Sequence, residues 1–308
     1  MSDADCTLLP TFLIIGAAKS GTTSLYHYLR QHPEVFMPEV KEPRFFAYVD
    51  DPPEMVGPGD EVSNEKAGAV YTWENYCALF SEADGASAIG EASVNYLYSE
   101  TAPHRISECL SDVQLIAVLR NPIERAYSHY LHLLRSGREP YRDFRAALDA
   151  EETRRREGWE WSWHYTEMGF YSKQLSRYFE HFDREQVSVY LFDDFKEDNL
   201  AVTQEIYGQI GVDDTFVPDA SLMHAKTGVP VSDWFQNFLL TPEHPIRRAV
   251  RTVLPQGVRD WLFKALQNAN LSKPEMEEDV HDDLVALYRD EVARLERLLD
   301  RDLSHWLV

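Results

Sequence analysis

The sequence predicts an α/β fold, a P-loop-like three-layer α/β/α domain with a central parallel sheet. Two observations carry this. Apolar runs at residues 11–15, 113–119 (VQLIAVL) and 187–192 (VSVYLF) read as short buried strands. Amphipathic helical segments separate them, which favours parallel pairing with both faces of the sheet covered. At 308 residues the chain is long enough for a large core, and one domain is expected over 1–308. Its core would lie at about 11–212, followed by a C-terminal helical and loop region at about 213–308.

In chain order, the first strand stops at Gly16, and a helix with Leu25, Tyr28 and Leu29 on one face begins near Gly21. Residues 32–46 hold three prolines and read as an extended loop returning over the carboxyl end of that strand, where parallel α/β sheets place ligands. Residues 50–68 look like an exposed excursion, and 72–82 read as a helix with Trp73, Tyr76 and Phe80 on its apolar side. A short strand is expected at 88–91. After the strand at 113–119 comes Arg120-Asn121-Pro122, with Pro122 suited to the first turn of the next helix. Residues 141–157 read as charged and helical, and 159–165 (WEWSWHY) as an aromatic cluster in a loop. Further helices are expected at about 170–182, 198–210 and 281–300, with irregular structure and short helices at 225–275.

Composition narrows the function. A net charge of −22 argues against general nucleic-acid binding. An anionic ligand would therefore need a locally concentrated positive site. Only 8 of the 30 basic residues are lysines; an acidic, lysine-poor surface suits a salty cytoplasm, and ordinary acidity explains it equally well. No apolar run is long enough to span a membrane, and residues 1–10 lack the pattern of a signal peptide, so a cytoplasmic location is expected. Cys6, Cys77 and Cys109 are scattered without metal-ligand spacing and read as reduced, inert thiols. The histidines form no ligand pattern, so no metal site is expected.

The chemistry concentrates in TFLIIGAAKSGTTS, residues 11–24. A glycine-bounded loop between a strand and a helix N-terminus directs several backbone N–H groups at one point, which suits a phosphate or sulfate. Lys19 adds a charge, and Ser20, Thr22, Thr23 and Ser24 surround Gly21 with hydroxyls. It is not a Walker A loop, because Thr22 stands where the lysine belongs. A second constellation is LRNPIERAYSHY, residues 119–130. Arg120 ends a strand and could fork onto a phosphate, with Ser128 two helical turns on. A carboxylate partner for Arg120 and simple packing of Ser128 would explain the same residues. Asp193-Asp194 superficially suits a magnesium ligand, but reads better as the end of a strand.

GxxKSGTTSL resembles the 5′-phosphosulfate loop of sulfotransferases that use 3′-phosphoadenosine 5′-phosphosulfate (PAPS). An arginine followed eight residues later by a serine resembles their 3′-phosphate element. KEPRFF, residues 41–46, is similar to the loop carrying the catalytic glutamate in the heparan-sulfate N- and 3-O-sulfotransferase type, with Glu42 at the matching position. The chain is identified on these motifs as a member of that family, of bacterial or archaeal type. The resemblance implies sulfuryl transfer from PAPS to a hydroxyl or amine without a metal, leaving 3′,5′-ADP (PAP). Lys19 would stabilise the leaving phosphate, Glu42 would act as general base, and Arg120 and Ser128 would hold the 3′-phosphate. Glu91, in GEASVNYLYS, is the reserve base. Arg44 stands where relatives often carry histidine. The Gly-x-Arg donor loop of some relatives is absent, and Lys273 in NLSKPEM (270–276) is the only basic residue there. The acceptor is open: a small molecule, lipid or carbohydrate, with Trp159, Trp161, Trp163 and Tyr165 available for stacking or simply for packing. The acidic surface disfavours a highly sulfated polymer. Two alternatives stay open, a P-loop nucleotide kinase or nucleotidase and a non-catalytic protein that binds 3′,5′-ADP. Oligomeric state is not legible.

Overall fold

The structure, a computed structural model, describes residues 8–49, 52–54, 56–220, 229–230, 271–272 and 274–308. Its centre is a five-stranded sheet in the order β2-β3-β1-β4-β5: β1 (Phe12–Gly16), β2 (Val35–Phe36), β3 (Ala88–Ala92), β4 (Gln114–Leu119) and β5 (Val187–Leu191). Every pairing is parallel, with Phe12 opposite Gly90 on one side and Gln114 on the other, and Leu115 opposite Val187. The three strong strands expected from the sequence, and the short one at 88–91, are thus present. The two-residue β2 lies within the segment read as an extended loop; too short to show a period, it pairs only along one edge.

Strand side chains alternate between two apolar layers. Leu13, Ile15, Leu115, Ala117 and Leu119 face a core that α6 (Pro122–Arg135), α9 (Tyr171–Phe179) and α12 (Glu278–Leu299) cover. Phe12, Ile14, Ile116 and Val118 face the opposite layer, packed by Leu25 and Leu29 of α1 (Thr22–Leu29) and Val202 and Ile206 of α11 (Asn199–Gln209). Burial on both faces explains why these strands show continuous apolar runs rather than alternation. The terminal helix carries Val280, Leu284, Tyr288, Val292 and Leu295 onto the first layer. Asn121 donates to the Trp306 carbonyl at 3.0 Å, so the chain end is pinned beside the strand β4.

The remaining helices are short: α2 (Phe45–Tyr48), α3 (Asp60–Ala67), α4 (Trp73–Ala78), α5 (Ala102–Cys109), α7 (Phe144–Asp149), α8 (Glu151–Arg156) and α10 (Phe192–Glu197). Two of these correct the sequence reading. The stretch 32–46 ends by starting α2, and the supposedly exposed excursion at 50–68 contains α3, whose Asp60 and Asn64 are buried. Both polar residues are partnered by charged groups from distant parts of the chain, a relation that no local pattern encodes. Cys77 is disulfide-bonded, so the expectation of three reduced thiols does not hold at Cys77. Among the described residues no helix is long and apolar enough to cross a membrane.

Candidate active site

The carboxyl ends of β1, β3 and β4 converge. From β1 the chain moves to β2 at one edge, and from β3 it crosses to β4 and β5 at the other. Ligand crevices form where strand order reverses in this way. A cavity of about 570 Å³ opens there, and its wall includes Lys19, Gly21, Thr22, Glu42, Arg120 and Ser128. Segments 20 to 100 residues apart in sequence are thus brought to one place.

The loop after β1 is held open at its base. Ala17 N–H donates to the Val118 carbonyl at 2.8 Å and Ser20 N–H to the Ala17 carbonyl at 3.3 Å. Lys19 and Gly21 both have positive φ, 70° and 82°. At Gly21 a Cβ would stand 3.0 Å from the Phe192 ring, so glycine serves both conformation and space. Helix α1 starts at Thr22 without a side-chain cap; Ser24 and Leu25 N–H donate to the Gly21 carbonyl at 2.9 and 3.2 Å, and the N–H groups of Thr22 and Thr23, ahead of them, have no helical acceptor. Thr22, Thr23 and Ser24 line the cavity with them. Ser20 differs: its side chain is fully buried, its Oγ has no partner among the described residues, and it lies outside the cavity wall.

Lys19 finds no ion pair among the described residues. Burial, together with Arg135 and Arg120 nearby, pushes its ammonium down to about 8. Arg120 donates through Nη1 to the Lys19 carbonyl at 3.2 Å and packs over the Phe192 ring at 5.0 Å. Its other end pairs with Glu124 at 2.7 Å, the carboxylate partner that the sequence left open. Ser128, one of the buried residues of α6, faces the same cavity.

Glu42 accepts from Lys41 Nζ at 2.8 Å and Arg44 Nη2 at 3.4 Å. Burial alone would raise its carboxyl, but these two cations outweigh it and hold the group below the usual carboxylate range. It is ionised at neutral pH and able to accept a proton. Glu91 is placed elsewhere. It is fully buried on β3, accepts from Ser93 Oγ at 2.5 Å, Tyr76 at 3.0 Å and Tyr96 at 3.2 Å, and does not line the cavity. Ser93 Oγ in turn accepts the Arg44 N–H at 2.9 Å. Glu91 therefore supports the Glu42 loop from behind. Burial raises its carboxyl to about 7, against the lowering effect of its three donors.

Arg44 was noted in the sequence without a role, whereas Arg138, Glu160, His129 and His132 in the same wall were not singled out. Arg44 reaches Glu160 at 3.3 Å and also Asn64, and Arg138 pairs with Asp60 and reaches Ser162 at 3.1 Å. These interleaved charges form a buried lattice along the cavity wall. His129 and His132 also face the cavity. Burial, then Lys19 and Arg135, push the His132 imidazole down to about 3, so it is neutral, and its Nδ1 has no partner among the described residues. His132 lies one turn beyond Ser128 on α6, the one sequence signal that could have flagged it. Lys273 lies outside the described residues. Asp193 accepts from Trp306 Nε1 at 3.0 Å and Asp194 pairs with Arg301 at 2.6 Å, so both have structural partners at the start of α10. Among the described residues no cluster of three or more potential ligands could hold a metal.

The sequence matches the sulfotransferase domain family over residues 9–296. The chain belongs to that family. Across 97% of its length it superposes on a sulfotransferase from Alicyclobacillus acidocaldarius, with a TM-score of 0.77, 35% identity and 99% of that chain covered. It is 31% identical over 179 residues, 58% of this chain and 40% of the relative, to human heparan sulfate glucosamine 3-O-sulfotransferase 3B1. Over 129 residues, 41% of this chain, it is 32% identical to mouse bifunctional heparan sulfate N-deacetylase/N-sulfotransferase 4, of which 13% is covered. The aligned stretches thus span less than half of these two relatives.

Proposed function

We propose that this protein transfers a sulfuryl group from PAPS to a hydroxyl or amine of a carbohydrate acceptor, releasing 3′,5′-ADP. The observation that carries the reading is the shared cavity: a lysine with no ion pair among the described residues, the first amides of α1, Arg120 and ionised Glu42 in one wall. The crowding of cations around Lys19 fits an anionic ligand, since a bound phosphosulfate would turn mutual repulsion into attraction. The carbohydrate class is supported by the relatives that are named for action on heparan sulfate.

In this reading the acceptor oxygen or nitrogen attacks sulfur while the bond from sulfur to the bridging phosphate oxygen breaks. Lys19 and the loop amides meet the charge that grows on that oxygen. Glu42 takes the acceptor's proton. With its carboxyl held low, proton transfer becomes favourable only as the acceptor acidifies on bonding to sulfur. Arg120 and Ser128 hold the 3′-phosphate and so distinguish this nucleotide from ATP. As in phosphoryl transfer, positioning and charge supply most of the catalysis. The test is incubation of the purified protein with PAPS and a panel of unsulfated heparan-type oligosaccharides, followed by mass spectrometry. Donor-dependent sulfation is expected; PAPS left unconsumed with every saccharide in the panel would contradict the carbohydrate assignment.

A further inference from the structure

Beside the donor cavity lies a second, smaller one of about 280 Å³. The two share Glu160 and Trp161 in their walls. Tyr48, Tyr98, Trp159 and Trp161 contribute aromatic surface to the smaller cavity. These side chains are held by hydrogen bonds. Trp161 Nε1 donates to Tyr48 Oη at 2.8 Å, Tyr48 donates to Glu160 at 2.8 Å, and Tyr98 Oη meets His164 Nδ1 at 2.9 Å. Glu160 also binds Arg44, the residue that holds Glu42. A continuous chain of contacts therefore runs from this aromatic pocket to the proposed base.

Asn95 lines the same pocket. It is 2% exposed, yet among the described residues neither its amide nitrogen nor its amide oxygen has a partner. Buried amides without partners are costly and uncommon in folded proteins. In Asn95 the donor and the acceptor stand side by side at the pocket wall but closed to solvent, so a ligand reaches them only as the covering side chains give way; together they match two neighbouring hydroxyls. Aromatic faces around it suit the C–H surface of a sugar ring.

We infer that this pocket is an acceptor subsite, in which Asn95 hydrogen-bonds neighbouring hydroxyls of a pyranose ring stacked between aromatic walls, one ring removed from the group that is sulfated. The inference rests on the sulfotransferase reading and narrows its acceptor to an oligosaccharide of at least two rings. Past Tyr98 and Ser99, which both cavities share, the surface continues into a wider cleft of about 940 Å³, leaving room for a longer chain.

The test uses the full chain saturated with 3′,5′-ADP and a panel of unsulfated tetrasaccharides of glucose, N-acetylglucosamine and uronate composition. Wild-type protein is expected to bind at least one of them. Asn95→Leu keeps the side-chain volume and removes both hydrogen-bonding groups; it should weaken that binding about tenfold or more and leave calorimetric affinity for 3′,5′-ADP unchanged. Trp159→Ala, at the half-buried rim, should give the same pattern and replaces Asn95→Leu if that variant does not fold. Binding of no tetrasaccharide, or equal binding by wild type and the folded variants, overturns the subsite. Failure of wild type to bind 3′,5′-ADP would instead overturn the donor reading on which it rests.

Discussion

Arg120 donates to the main-chain carbonyl of Lys19 at 3.2 Å, tying together two motifs separated by 101 residues. One end of the guanidinium braces the anion-binding loop, and the other is occupied by Glu124, whose side chain is 59% exposed. A phosphate arriving at Arg120 must compete with that carboxylate. Glu124→Ala should therefore tighten 3′,5′-ADP binding severalfold. Calorimetry showing weaker binding would mean that Glu124 holds Arg120 in its binding pose rather than competing for it.

The pH dependence of binding follows from Lys19. Its ammonium is pushed down to about 8 in the free protein, and a bound phosphate should raise it. Between about 8 and the ordinary lysine value, binding must then take up a proton. Affinity for 3′,5′-ADP should fall as pH rises above about 8. Titrations near pH 9 in buffers of different ionisation enthalpy should show net proton uptake, which Lys19→Met should abolish.

Glu42 and Glu91 should separate cleanly. Glu42→Gln is expected to lower turnover by roughly 100-fold, the scale for losing a general base, with little change in 3′,5′-ADP affinity. Glu91→Gln should lower it far less, since that carboxyl is walled off behind Ser93. Near-normal turnover in Glu42→Gln would shift the role to another group, with neutral His132 the next candidate in the cavity.

Glu91 has a signature of its own in stability. Its carboxyl is raised to about 7 by burial, so between about 4.5 and 7 the folded protein binds more protons than the unfolded chain. Its contribution to stability is complete below that window and declines as pH rises through it. The melting temperature of wild type, compared with Glu91→Gln, should show this extra decline between about pH 4.5 and 7. Parallel profiles would mean that Glu91 is ionised throughout.

Much of this was legible because the signals are local. The buried strands at 11–15 and 113–119 announce themselves by unbroken apolar runs, and the loop between Gly16 and Gly21 by glycine, lysine and hydroxyls in one window. The buried side of the site was not legible. Asp60 and Asn64 sit in a polar, glycine- and proline-rich stretch that looks solvated; only pairing with Arg138 and Arg44 across the fold buries them. Asn95 carries no signal in sequence, since an unpartnered amide is defined by what surrounds it. The enclosure of Glu91 by two tyrosines and a serine was equally invisible in the sequence.

The acidic surface makes a prediction independent of catalysis. At a net charge of −22, self-repulsion should weaken the fold at low ionic strength and fade as salt shortens the screening length. Melting temperature should rise as salt goes from tens of millimolar to molar. A flat profile would leave the composition as ordinary acidity.

The most direct measurement compares two nucleotides that differ only in where a phosphate sits. Calorimetric titration with 3′,5′-ADP and with ADP, repeated on Arg120→Ala, probes the donor assignment without knowledge of the acceptor. 3′,5′-ADP should bind wild type at least about tenfold more tightly, the scale of one charge-assisted contact, and Arg120→Ala should remove most of that preference. Equal affinity of wild type for the two nucleotides would contradict the donor assignment.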